Sequence, residues 1–130
     1  MIQLQRVIFP KIHSSINIQT ERKIQIENSF NLNINFDLKD KKCISTLTIS
    51  SQCKEHLEWF DVSVTIIGIF TFDEISTVEQ KKQIHSESYD MLFPYIQSVI
   101  SDITAKAGLP AFMLEKAPIN FDKIIVSENE

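Results

Sequence analysis

Residues 92–110 read Leu92-Phe93-Pro94-Tyr95-Ile96-Gln97-Ser98-Val99-Ile100-Ser101-Asp102-Ile103-Thr104-Ala105-Lys106-Ala107-Gly108-Leu109-Pro110. Leu92, Ile96, Val99, Ile100, Ile103 and Ala107 recur every three or four positions, which predicts one apolar stripe on a helix. Gly108 and Pro110 end it, because glycine readily takes the left-handed conformation past a helix end and proline cannot continue the ladder. Pro94 lies inside the pattern, where a proline costs about 3 kcal/mol unless the helix accommodates a kink. Upstream, Thr77 with Gln80 and Ser86 with Tyr89-Asp90 offer two places to start. A long kinked helix is expected, beginning as two pieces joined near Pro94.

N-terminal to this helix the period changes to two. Ile24, Ile26, Asn28, Phe30, Leu32, Ile34, Phe36 and Leu38 alternate with Gln25, Glu27, Ser29, Asn31, Asn33, Asn35 and Asp37. This pattern predicts a long strand with one apolar face. Phe60, Val62, Val64, Ile66, Phe70 and Phe72 form a second run that turns apolar on both faces at Ile67-Gly68-Ile69, so that end is expected to be covered on both sides. Residues 2–9 and 44–51 are shorter strand candidates. Polar links at residues 39–42 and 52–58 separate them from their neighbours. A final short helix is expected from Asn120, a favourable N-cap residue. Four strands followed by helices define an α+β fold, with the helices on one face of an antiparallel sheet. Such a sheet leaves two edges, and the asparagines at 31, 33 and 35 do little to blunt them, so oligomerisation through an edge strand or the helix stripe is expected.

The chain of 130 residues is read as a single domain spanning 1–130. A domain of this size buries about two-thirds of the surface its unfolded chain exposes, so it needs no metal or disulfide to fold. Net charge is −4, and the lysines at 39, 41, 42, 81 and 82 are interrupted or flanked by acids. Nothing points to a nucleic-acid surface. Residues 1–10 lack the charged region and apolar core of a signal peptide, and no apolar run approaches the ~20 residues of a membrane span. The expectation is a soluble cytoplasmic protein. Cys43 and Cys53 read as reduced structural thiols in or beside strands.

A search for chemistry finds little. His13, His56 and His85 are far apart and have no second ligand at metal spacing, so no metal and no cofactor is expected. His56 beside Glu55 and Glu58 reads as a solvated loop, and Asp61, Asp73 and Glu74 as strand-end solvation. With Gly68 and Gly108 as the only glycines there is no phosphate loop, and no nucleophile elbow is present. The chain is not expected to be an enzyme. Its surplus is hydrophobic: Phe30, Phe36, Phe60, Phe70, Phe72, Phe93, Phe112 and Phe121 are many large anchors for a small fold. Core packing accounts for those on the strands, while residues 109–119 form an irregular apolar segment suited to lining a groove.

Several strings resemble the SecB family of export chaperones. Ile2-Gln3-Leu4-Gln5-Arg6-Val7 is similar to its first strand and Gly68-Ile69-Phe70 to the end of its fourth. Leu92-Phe93-Pro94-Tyr95, Leu109-Pro110 and Ala117-Pro118-Ile119-Asn120-Phe121-Asp122 follow in the family's order. The resemblance is dense over residues 60–124 and sparse over residues 17–58. It implies Greek-key order for the sheet, ATP-independent binding of unfolded polypeptide, and a dimer or dimer of dimers. It places client contacts at Leu32, Ile34, Phe36, Leu38, Phe112, Leu114, Phe121 and Ile124. Self-association is expected through Ile2, Leu4, Ile96, Val99, Ile100 and Ile103.

The family hands its clients to the SecA motor through acidic residues. Here an ungapped reading puts Lys11, Ser14 and Ser63 at those positions, with Asp61 a weak substitute nearby, and the last helix is short. SecA docking is therefore doubtful. The sharper expectation is a specialised SecB-like holdase, for example one protecting an antitoxin of a toxin–antitoxin module. A general export chaperone is the runner-up, and a non-chaperone oligomeric adaptor holding one folded partner is the rival from another class.

Overall fold

The computed structural model describes residues 2–18, 24–73, 77–108 and 128–129. Its elements follow in the order β1 (Ile2–Ile16), β2 (Glu27–Asp37), β3 (Lys42–Gln52), β4 (Phe60–Phe72), α1 (Val78–Lys106) and β5 (Glu128–Asn129). The strands form one sheet in the spatial order β1-β4-β3-β2-β5. β1 to β4 pair antiparallel, whereas β5 lies parallel to β2. Consecutive hairpins join β2, β3 and β4, and β1 returns beside β4, which is Greek-key order. The short helix expected from Asn120 falls mostly outside the described residues, and at 128–129 the chain is strand.

The β2–β3 turn is made locally. Asp37 Oδ1 accepts from the Asp40 amide at 3.1 Å, and Lys41 adopts a positive φ of 55°. β1 runs past the expected residue 9 to Ile16, although Pro10 lies in its middle. β1 is an edge strand, and Pro10 falls where its register with β4 shifts between Ile8 and Lys11. A missing N–H is tolerated at an irregular edge.

α1 starts at Thr77, whose Oγ1 accepts from the Gln80 amide while Gln80 Oε1 accepts from the Thr77 amide, each at 3.2 Å. This reciprocal capping box satisfies two amides that the helix itself cannot. The helix then runs unbroken through Pro94, so the two-piece start does not occur. Pro94 is on the exposed side, where a carbonyl that loses its helical partner can be hydrated. At the other end Gly108 has φ 82° and its amide donates to the Ala105 carbonyl at 3.0 Å.

The core lies between α1 and the inner face of the sheet. Ile84, Ser88, Leu92, Ile96, Ile100 and Thr104 form a buried row spaced by four. The hydroxyls in it donate back into the helix, Ser88 to the His85 carbonyl at 3.2 Å and Thr104 to the Ile100 carbonyl at 3.1 Å. On the sheet, Phe60, Val62, Val64, Ile66, Phe70 and Phe72 alternate inward from β4, with Leu47 and Ile49 from β3. Each such side chain contributes about 1.5–3 kcal/mol on burial. Gly68 breaks the β4 row, and there Leu92 packs close against the sheet. A Cβ at Gly68 would stand 2.7 Å from Leu92 Cδ2 and 2.8 Å from Phe70 Cε2.

The opposite face departs from expectation. Ile67 and Ile69 are half-buried, Ile44 beside them is 44% exposed, and among the described residues no element lies over them. Among the described residues, that end of β4 is covered on one side only.

Candidate functional site

β2 is where apolar side chains meet an incomplete sheet edge. Its alternation puts Phe30, Leu32, Ile34 and Phe36 on the inner face and Asn31, Asn33 and Asn35 on the outer one. One side of its backbone pairs with β3 over its whole length. On the other side the only described strand is β5, opposite Phe36 and Asp37, so no described strand flanks residues 27–35. Phe30 and Leu32 are half-buried against the core, and Ile24 and Ile26 continue their row before the strand begins. Half-exposed apolar side chains beside a strand-free edge can take both the side chains and the backbone of an extended polypeptide.

The expected client residues divide accordingly. Leu32 and Leu38 are half-buried and offer surface. Ile34 and Phe36 do not, being 3% and 1% exposed beneath α1. The Phe36 ring meets Phe72 edge-on at 6.3 Å and His85 at 6.0 Å, and Lys81 Nζ stands 5.7 Å above it. In this arrangement Phe36 packs the sheet against the helix. Phe112, Leu114, Phe121 and Ile124 lie outside the described residues.

The expected interface set divides in the same way. Ile2, Ile96 and Ile100 are buried in the chain's own core, whereas Leu4, Val99 and Ile103 are half-buried. The exposed large apolar side chains of α1 are instead Val78 at its start and, further along, Met91 and Tyr95, 38% and 47% exposed and four residues apart. Sequence reading passed over them, although Tyr95 belongs to the Leu-Phe-Pro-Tyr string and lies off the buried stripe. Phe30 and Ile26 were also missed as surface residues, for they look like the rest of their row.

On the outer face β3 and β4 carry a polar ladder. The Thr48 and Thr65 hydroxyls are 3.0 Å apart, those of Ser50 and Ser63 are 3.2 Å apart, and Gln52 Nε2 donates to Asp61 Oδ1 at 3.0 Å. Asp61 also faces His13 at 3.4 Å. Lys11 lies opposite Thr65, and Ser63 opposite His13, so both belong to this face. Ser14 lies opposite Val62, a buried residue of the inner face, and therefore cannot share a docking surface with them.

The remaining titratable groups do not assemble a reaction centre. Among the described residues no three His, Cys, Asp or Glu side chains converge as metal ligands. His56 stacks on Trp59 with centroids 3.8 Å apart, and its Nδ1 lies 3.1 Å from Glu58 Oε1. A hydrogen bond to its own backbone and the one to His56 hold the exposed Glu58 carboxyl below its usual range. Burial lowers the pKa of His85, against the opposing hydrogen bond to the Lys81 carbonyl. Burial pushes the Cys43 thiol up to about 12, so that sulfur is no nucleophile at neutral pH. Cys43 and Cys53 are both free and buried. No described helix is long and apolar enough to cross a membrane.

A Greek-key antiparallel sheet with one capped, 29-residue helix across its inner face places the chain in the class of α+β domains with the SecB fold. The family model described as preprotein translocase subunit SecB matches residues 3–130, and the chain belongs to this family, whose members are chaperones and not enzymes. It is 31% identical over 87 residues to the protein-export protein SecB of Alcanivorax borkumensis, covering 65% of this chain and 54% of that one. It is 27% identical over 142 residues to the protein of the same name from Methylococcus capsulatus, covering 88% and 90%. The chain thus spans about half the length of the first relative and nearly all of the second. Among solved structures it is similar to the Mycobacterium tuberculosis Rv1957 SecB-like chaperone in complex with a ChAD peptide from the Rv1956 HigA1 antitoxin. The TM-score is 0.70 at 14% identity, over 88% of this chain and 86% of that one. A Streptococcus agalactiae protein of unknown function matches with a TM-score of 0.53 at 16% identity, over 89% and 98%.

Proposed function

We propose that this chain is an ATP-independent holdase that binds non-native polypeptide along β2. The observation that carries this reading is the half-exposed row of Phe30 and Leu32 beside an edge with no described strand next to it. One anchored apolar side chain contributes about 1.5–3 kcal/mol, whereas ordering each client residue costs about 1–2 kcal/mol. A single site therefore holds weakly and releases readily. Self-association into a dimer or dimer of dimers belongs to the same proposal, because several such sites on one particle raise the effective concentration for a long client.

The holdase is specialised, with a dedicated client such as an antitoxin. Lys11 and the Ser50–Ser63 pair supply no negative charge to the outer face, and Asp61 is engaged by His13 and Gln52. The likeness to a SecB-like chaperone solved with an antitoxin peptide supports this form. The curated relatives, called protein-export proteins, favour general export with delivery to SecA as the second reading.

The test is light scattering of insulin aggregated with dithiothreitol. The chain should suppress scattering at equimolar ratio, and Phe30→Lys or Leu32→Lys should require at least about fivefold more protein, since each loses about 1 kcal/mol or more of apolar contact. No suppression by the unaltered chain would favour the adaptor with one folded partner. Recovery of many unrelated secretory precursors together with SecA in a pull-down would overturn the specialised form.

A further inference from the structure

The outer face carries an apolar patch that the inner-face site does not use. Asn35, Ile44 and Ile69 lie in one cross-strand row, and Ile67 and Ile8 pair in the next. The rest of that face is mainly serine, threonine and asparagine. A cavity of about 300 Å³ opens here, lined by residues 35–37 of β2, residues 42–44 of β3 and Ile69 of β4. Its apolar floor is Ile44 and Ile69, and its charges, Asp37 and Lys42, are opposite one another in register and so balance. The cavity adjoins the place where, among the described residues, the β2 edge already holds a strand, for β5 pairs parallel with Phe36 and Asp37.

We infer that this corner is a second client site, at which an extended apolar segment of a non-native polypeptide adds to the β2 edge in place of β5 and drops one side chain into the cavity. The inference rests on the holdase reading above and adds a distinct face to it. An added strand stands about 4.8 Å from β2 and about twice that from β3. Its residues alternate between faces, so every second side chain flanks Asn35 and Asp37 at the cavity mouth. A leucine, methionine or phenylalanine there reaches toward Ile44, while a charged side chain finds no uncompensated partner. Backbone pairing supplies the hold and the cavity selects the side chain, which gives broad preference for apolar extended segments. The two-residue β5 is short enough to be displaced, and it keeps this part of the edge from pairing unproductively when no client is present.

The test uses the full chain and a fluorescein-labelled peptide of alternating leucine and threonine with lysines at both ends, followed by fluorescence anisotropy. Proline has no N–H to pair, so the double variant Glu128→Pro, Asn129→Pro should release β5 and tighten peptide binding about fivefold, the factor of one net backbone hydrogen bond. Ile44→Lys, at an exposed position outside the core, should weaken binding about tenfold. A peptide N-methylated on alternate residues should bind at least about fivefold more weakly, having lost its edge donors. Unchanged binding in both protein variants, with Leu32→Lys abolishing it, would overturn the second site and leave the holdase intact. An unaltered chain that binds no peptide and suppresses no aggregation would overturn both.

Discussion

Gly68→Ala tests how closely α1 approaches the sheet. The added Cβ would lie 2.7 Å from Leu92 Cδ2, 2.8 Å from Phe70 Cε2 and 3.1 Å from Phe70 Cζ. Leu92 and Phe70 are both fully buried, so neither side chain has open space to move into. Overpacking of this kind costs about 1–3 kcal/mol. Against it, replacing glycine restricts the unfolded chain and stabilises by about 0.4–1 kcal/mol. The net loss is about 1–2 kcal/mol. With a urea slope of about 1.5 kcal/mol/M, the unfolding midpoint should fall by about 1 M at constant slope. Circular dichroism during urea titration measures it. Leu92→Ala alone should cost about 2–5 kcal/mol, and in that background Gly68→Ala should cost about 1 kcal/mol less than it does alone, because the methyl it collides with is gone. A Gly68→Ala midpoint equal to or above that of the unaltered chain would refute the reasoning, since the helix and sheet would then have slack at Gly68.

Cys43 has its pKa raised from 9.0 to about 12, so the stability its neutral thiol contributes is present below pH 9 and lost as pH rises toward 12. At about pH 8 it should resist iodoacetamide in the native chain and react quickly in urea, as mass spectrometry would show. The pKa of His85 is lowered from 6.5 by burial, so its contribution is complete above that value and lost as pH falls through the lowered folded value. The urea midpoint should therefore drop more between about pH 7 and pH 5 in the unaltered chain than in His85→Leu, and equal drops would remove His85 as the cause. Thr77→Ala removes the capping box and should cost about 1 kcal/mol, visible as a lowered Tm; Thr77→Ser should restore most of it.

Much of this was legible in local signals. The alternation over residues 24–38 required a strand with one apolar face. Thr77 and Gln80 marked the start of a helix, and Gly108 marked its end. Those features depend on a few neighbouring residues, so sequence reading reached them. The Leu-Phe-Pro-Tyr string pointed to the family but suggested a break in the helix, which the exposed position of Pro94 makes unnecessary.

By itself, then, the sequence determined that four strands precede one long helix, where that helix is capped, and the family that shares the pattern. The tertiary structure decided which parts of those apolar faces are used up. Alternation assigns Phe30, Leu32, Ile34 and Phe36 to one face alike, but in the folded chain the last two are buried and the first two are only half-buried. Parity misleads along β1, because register shifts between Leu4 and Arg6 and again between Ile8 and Lys11 reverse which residues face inward, so that Arg6 and Ile8 turn outward between the inward-facing Leu4 and Ile12. The cavity at Ile44 and Ile69 joins residues from three strands and appears in no local window. Burial and register depend on contacts between distant segments, and period-two alternation carries no information about them.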